Sequence, residues 1–305
     1  MSILVLGSIN MDLTTYVPKL PRPGETLQGS SYITVPGGKG NNQAVAATRL
    51  GAKTKFIGRV GQDAFGQQVL EIMAGEKVDV HQVFKDPNHA TGLAVINVDD
   101  AAENAIIIIS GANFALDDSD VARAKALMDK IKVLMLQLEV PAEVSLACAQ
   151  AAKEKGATVI FDPAPAISMP DAAYAFIDFI TPNELETETL TGILPTTPQE
   201  AAEAAGVLRL KGVRSAIIKM GSQGAYYQGP QGSGFIPAFQ VKAIDTVAAG
   251  DAFNAGLAVA IAEGRDLPEA VCWGAAAGAI AVTRRGALPA MPYRNELESL
   301  LNEQS

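Results

Sequence analysis

Residues 245–251 read Asp-Thr-Val-Ala-Ala-Gly-Asp, and the run Ala252 to Ile261 behind them has the composition of a helix whose first turn holds Asp251. The N–H groups at a helix start have no acceptor inside the helix and favour an anion, while Gly250 lets a ligand approach the backbone closely. A carboxylate in such a place is suited to taking a proton from a hydroxyl while the N–H groups surround a phosphoryl group in transfer. The helix start is expected to hold the Asp251 pKa below its ordinary value and keep the group ionised at neutral pH. A simpler role for an isolated Asp before a helix is that of a cap. What the rest of the chain brings to the site decides between them.

Two further stretches carry polar residues at useful spacing. Gly7-Ser8-Ile9-Asn10-Met11-Asp12 follows the first apolar run, and Asn10 and Asp12 alternate along an extended chain, so an amide and a carboxylate face the same way and could grip vicinal hydroxyls. Pro36-Gly37-Gly38-Lys39-Gly40-Asn41-Asn42-Gln43 is glycine-rich and basic and opens a helix expected over residues 43–50. It is not a P-loop, because the glycine spacing and the Ser or Thr after Lys39 are absent. Gly7 to Asp12 also lacks the Gly-x-Gly-x-x-Gly dinucleotide fingerprint, which argues against a nicotinamide-dependent oxidoreductase.

The elements that must position these residues alternate in type. Strand-like runs at 3–6, 55–57, 133–138, 158–161, 179–181 and 216–219 are interleaved with helix-like runs at 43–50, 66–75, 144–154 and 200–210. This is the rhythm of a mostly parallel sheet between helices, whose sites lie at the carboxyl ends of the strands. Two segments depart from it. Residues 11–36 hold Pro18, Pro21, Pro23 and Gly24 among strand-like pieces, and residues 91–110 read as a hairpin turning at Asp99 to Asn104. They are expected to pair as a small β lid over the strand ends.

Composition limits the partners. A chain of 305 residues, 48% hydrophobic and 19% charged, supports a large buried core. A formal net charge of −9 argues against nucleic acid and anionic membrane, so any phosphate site must be made locally by glycines and helix ends. No basic leader precedes the first strand and no apolar run approaches membrane-spanning length, so a cytoplasmic protein is expected. Cys148 and Cys272 are expected to be reduced core residues, and His81 and His89 surface ones.

Taken together, the stretches at Gly7 to Asn10, Gly37 to Gly40 and Asp245 to Asp251 resemble the ribokinase family, also called the PfkB carbohydrate kinases, nearly end to end. The resemblance implies a three-layer α/β/α ribokinase-like fold, with residues 1–10, 37–90 and 111–305 as the core and 11–36 and 91–110 as the lid. It implies an ATP-dependent sugar kinase, with the 5-hydroxyl of D-ribose as the leading acceptor. Deoxyribose, fructose or a nucleoside are the alternatives within the family, and a silent sugar-binding protein is the alternative outside it.

By position, Asp251 would be the base, with Ala248, Ala249 and Gly250 offering N–H groups to the phosphate. Asn10, Asp12, Gly38, Lys39, Asn42 and Glu139 would hold the sugar. Asn183, Lys219, Gly221, Ser222, Gly224, Gly250 and Ala275 would contact ATP, and Glu186 would act with Mg²⁺, whereas Glu184 and Glu188 read as solvated helix charges. Asp245, with Val247, Ala281, Arg284, Gly286 and Ala290, would form a monovalent-cation site suited to K⁺. Lys219 stands where ribokinases often carry threonine, Ala275 where relatives carry a polar residue, and Ala290 where a serine is usual. A homodimer through the lid strands is expected as well.

Overall fold

The structure is a computed structural model that describes residues 2–101 and 103–303; Met1, Gln304, Ser305 and Ala102, the last in the expected hairpin turn, lie outside the described residues. The chain starts as β1 (Ser2–Leu6), leaves as β2 (Asn10–Tyr16) and β3 (Ser31–Gly37), and returns through α1 (Lys39–Arg49), β4 (Lys53–Gly61), α2 (Ala64–Gly75) and β5 (Asp79–Asp86). A hairpin of β6 (Gly92–Val98) and β7 (Asn104–Ile109) precedes α3 (Asp118–Lys125), β8 (Val133–Leu136), α4 (Ala142–Glu154), β9 (Thr158–Phe161), β10 (Phe179–Ile180) and α5 (Glu184–Thr191). The remainder is α6 (Pro198–Leu210), β11 (Ser215–Lys219), β12 (Gly224–Gly229), β13 (Gly232–Pro237), α7 (Ala249–Glu263), α8 (Leu267–Ala281) and α9 (Arg294–Glu303).

Nine strands form the main sheet in the order β13-β12-β11-β10-β9-β8-β1-β4-β5. The pairs from β11 to β5 are parallel, and β12 and β13 close one edge as an antiparallel hairpin. Alternate residues of β1 enter different cores: Ile3 and Val5 pack with α1, α7 and α8, and Leu4 and Leu6 with α3, α4 and α6. Both faces of the sheet are therefore covered, which is why β8 is apolar and buried at every position. The result is the expected three-layer α/β/α arrangement.

The second sheet has the order β3-β2-β6-β7. Its strand β2 starts at Asn10 and its strand β3 ends at Gly37, so the chain enters and leaves this part of the small sheet at those two residues. The helix expected over 43–50 begins earlier, at Lys39. Gly38 adopts φ 88 and turns the chain into it, and Gly40 lies so near the backbone of Gly7 and Ser8 that a Cβ there would come within 2.6 Å of Ser8 N. β5, α3 and the β12–β13 hairpin have no counterpart among the expected elements. β5 is a half-exposed edge strand with charged residues, and an apolar pattern does not mark it.

Helix α7 is apolar on all sides, with Ala252, Ala255, Leu257, Ala258 and Val259 wholly buried between α1 and α8. Small residues permit this, since a Cβ on Gly256 would stand 2.6 Å from the carbonyl oxygen of Trp273. The start of α7 is thereby held firmly at the carboxyl ends of the strands. Among the described residues, no helix is long and apolar enough to cross a membrane. Cys148 and Cys272 are free thiols.

Candidate active site

Asp251 is the third residue of α7 and is 4% exposed. It does not cap its helix. Ala248 occupies the capping position without a side-chain bond, in the left-handed region at φ 59, and Lys77 is the other non-glycine residue there among those described. Such a backbone costs an alanine about 1 kcal/mol or more. It turns the chain so that the carboxylate of Asp251 faces α1, where Asn42 Nδ2 donates to Oδ2 at 3.0 Å and Gln43 Nε2 donates to Oδ1 at 3.1 Å.

The pKa expected from the helix start is overturned. Burial pushes Asp251 up to about 6, and the charge of Asp162 adds to the rise, outweighing Lys39 and the two amides. A helix end and two amides stabilise an anion, but they do not replace the water that a buried carboxylate loses. A carboxylate with that proton affinity can exchange a proton near neutrality.

On the lid side, Asn10 Oδ1 accepts from Asn113 Nδ2 at 2.7 Å, and Asn113 also bonds both backbone polar groups of Ile9. Asp12 stands against Gly37, where a Cβ would come within 2.3 Å of its carboxylate. Burial and the nearby charge of Glu139 raise the Asp12 pKa to about 6. Glu139, just beyond β8, accepts from Ser8 Oγ at 2.6 Å and from the Lys39 backbone N–H at 3.0 Å. Burial disfavours the Lys39 ammonium, but Asp251, Asp162, Glu139 and Glu186 together hold it well above the ordinary lysine range. Lys39 thus ties the lid side to Asp251.

On the other side of Asp251 lies a cavity of about 650 Å³. Lys39, Asp162, Asn183, Glu186, Lys219, Gly250 and Asp251 line its polar floor. Gly221, Ser222 and Gly224 also line it, and Phe239, Val241, Ala275, Gly278 and Val282 give it apolar surface. Ala275 is one turn of α8 from Ala279 and offers carbon only. Gly250 lies against Lys219, whose Nζ would be 3.2 Å from a Cβ there. Of the three N–H groups assigned to a phosphate, that of Ala249 is engaged with Thr246 O at 3.3 Å, and that of Gly250 has no acceptor within the helix.

Asn183 and Glu186 form a reciprocal cap at the start of α5: Glu186 N donates to Asn183 Oδ1 at 2.9 Å and Asn183 N to Glu186 Oε2 at 2.8 Å. Burial raises the Glu186 pKa, and the ammonium of Lys219 opposes it. A single carboxylate beside a nucleotide's phosphates is a donor Mg²⁺ can take, and Glu186 on the cavity wall has the chemistry for it, whereas both oxygens of Asp162 are engaged by Gln43 and Lys219. Glu184, expected as a solvated charge, also lines the cavity, near Gly221; Glu188 is exposed.

Asp245 sits where two loops meet. Its carboxylate accepts from Val247 N at 3.0 Å and Gly286 N at 2.8 Å, and the backbone N–H groups of Ile244 and Asp245 both donate to Val282 O. Asp245, Val247, Ala281, Arg284 and Gly286 are brought together, and carbonyl oxygens with one carboxylate suit a large monovalent cation. Ala281 O already accepts from Arg284 N at 3.1 Å, and buried Ala290 supplies only a methyl group from its side chain.

The chain is similar to known proteins along almost its whole length. A ribokinase of Haemophilus influenzae is 42% identical over 295 residues, covering 97% of this chain and 96% of the relative. A deoxyribokinase of Salmonella typhi is 35% identical over 303 residues, covering 99% of each. The structure of Arabidopsis thaliana ribokinase complexed with ribose and ATP superimposes with a TM-score of 0.90 at 32% identity, covering 98% of both chains. The family model described as pfkB family carbohydrate kinase matches residues 1–294. The chain belongs to that family.

This carbohydrate kinase has functional-site residues that sequence reasoning missed. Asp162, Gln43 and Gln137 are buried and bonded to one another or to Asp251, and Ser8 and Asn113 hold Glu139 and Asn10. A signal for Asp162 was present. It follows β9 at its carboxyl end, as Glu139 follows β8, and the rule that sites lie at strand ends points to both.

Proposed function

We propose that the chain transfers the terminal phosphoryl group of ATP to the 5-hydroxyl of D-ribose, with Asp251 as general base. The observation that carries this reading is the buried Asp251 carboxylate, fixed by Asn42 and Gln43 between the lid-side residues and the 650 Å³ cavity. Asn10 and Asp12 would grip vicinal hydroxyls, with Gly38, Lys39 and Glu139 completing the sugar site. Asp251 would then take the hydroxyl proton as the new O–P bond forms and the bond to ADP breaks. Gly250 N–H, Lys39 and Lys219 would stabilise charge on the phosphoryl oxygens. Mg²⁺ held beside Glu186 would neutralise phosphate charge, and K⁺ at Asp245 would brace the turn before α7.

The lid of residues 11–36 and 91–110 would close over the sugar and exclude water. Strand β7 ends the small sheet and exposes Ile106, Ile107, Ile108 and Ile109, at 54%, 59%, 64% and 47%. An apolar edge of this kind is an association surface, which supports a homodimer through the lids in a cytoplasmic enzyme with no nucleic-acid partner.

The deoxyribokinase relative makes 2-deoxyribose the second reading. A site that grips the 2,3-hydroxyl pair loses a hydrogen bond with deoxyribose and leaves polar groups unpaired, which favours ribose. ADP release measured across pentoses, hexoses and nucleosides tests the reading. Release stimulated most by D-ribose is expected; none with any sugar or nucleoside would sink it.

A further inference from the structure

A line of polar groups runs inward from the base. The amide nitrogen of Gln43 carries two N–H groups, and both are used: one donates to Asp251 Oδ1 and the other to Asp162 Oδ2, each at 3.1 Å. The amide oxygen accepts from Gln137 Nε2 at 2.7 Å. Reversing the Gln43 amide would set its oxygen against two acids, so its orientation is determined. The other oxygen of Asp162 accepts from Lys219 Nζ at 3.2 Å, and Lys219 lies beside Gly250 on the cavity floor. Asp162, Gln43 and Asp251 are all buried.

We propose that Asp162 is a positioning residue that anchors the Lys219 ammonium and, through the shared Gln43 amide, Asp251, so that phosphate in the cavity is felt at the base. The proposal rests on the kinase reading above. An anion beside Gly250 competes with Asp162 for the ammonium. As Lys219 turns toward the anion, the Asp162 charge is less compensated, and Asp251 holds a proton more tightly. The charged groups facing the two acids are Lys39 from α1, Glu186 from α5 and Lys219 from β11, with Glu139 beyond Lys39. Proton removal from the sugar is thereby favoured when the phosphoryl donor is in place.

Asp162→Asn keeps the shape and removes the charge. Two measurements test it: calorimetric titration of ADP into the sugar-free protein, and the pH dependence of kcat. ADP is expected to bind at least about threefold more tightly to the variant, because the ammonium is no longer shared. The acid limb of kcat is expected about half a pH unit lower than in the wild type. Gln43→Leu cuts the link but leaves the Asp162–Lys219 pair, so it should move the limb without changing ADP affinity. For Asp162→Asn, an unmoved limb or an unchanged ADP affinity overturns the coupling. A wild-type protein that binds ADP but phosphorylates no sugar would count against the kinase reading instead.

Discussion

Gln43 donates to Asp251 at 3.1 Å across the contact between α1 and α7, and Asn42, its neighbour in sequence, takes the other carboxylate oxygen. Both oxygens are held by one helical turn, which fixes the direction in which Asp251 can accept a proton. Asp251→Asn preserves the volume and removes the basicity. It is expected to lower kcat at least about a hundredfold while leaving ribose and ATP affinities within about threefold. Turnover near the wild-type value would show that Asp251 serves packing alone.

The pH dependence follows from the burial of two acids. Asp251 must be ionised to act as a base, and its pKa is pushed up to about 6, so kcat should rise with pH through about 6 and level off above. Asp12, also pushed up to about 6, is proposed to hold the sugar and would titrate in the sugar-free protein. The acid limb of kcat/KM for the sugar should therefore be steeper than that of kcat, and Asp12→Asn should restore a single-proton slope. For stability the sign is the reverse of the usual carboxylate case. Both folded values lie above the 3.8 of a free Asp, so the contribution of these groups is full below that value and is lost as pH rises through about 6. Thermal melts of Asp251→Asn should show a weaker fall across that window.

Asp245 is expected to matter through a cation. Replacing K⁺ by tetramethylammonium, too large for a carbonyl-lined site, should lower turnover at least about fivefold. Asp245→Ala should abolish the difference between the two salts. Indifference of the wild type to the exchange would remove the cation site.

The lid edge gives a test of assembly. Ile108→Lys places a charge at the most exposed of the four β7 isoleucines and should convert a dimer to a monomer in sedimentation velocity. KM for the sugar should rise by more than KM for ATP. A wild type that sediments as a monomer at all concentrations would contradict the proposed interface.

Much of this site is visible in the sequence because its parts are local. Asn10 with Asp12, Gly38 with Lys39, and Gly250 with Asp251 each lie within a few residues, and the glycines mark backbone that side chains would block. Parallel strands buried on both faces read as plain apolar runs, so the main sheet was legible from β1, β8, β9 and β11. Asp162 is marked in the sequence only by its place at the end of β9, and nothing there shows what it bonds. Its partners are 119 and 57 residues away along the chain, and in the sequence Asp162 looks like an ordinary acid before a proline. The raised pKa of Asp251 is hidden for a related reason: the local helix start is visible in sequence, while the depth of burial is set by α1 and α8. The short cap of Asn183 by Glu186 shows a third case, in which one pair of residues both builds a helix end and lines the cavity.

The lid joins the core at Asn10 and Gly37, one end of β2 and one end of β3, and the expected sugar ligands stand at or beside those joints. A lid rotated about them cannot leave Asn10, Asp12 and Gly38 where they were. With the sugar held there as proposed, its affinity would gauge the angle of the small sheet. Most of the cavity-lining groups, from Asn183 to Val282, stand on a different length of chain, and Lys39 is the one cavity residue beside the joint among the described residues. Crowding or a neighbouring molecule pressing on the lid would alter the threshold for the sugar while leaving that for the nucleotide in place.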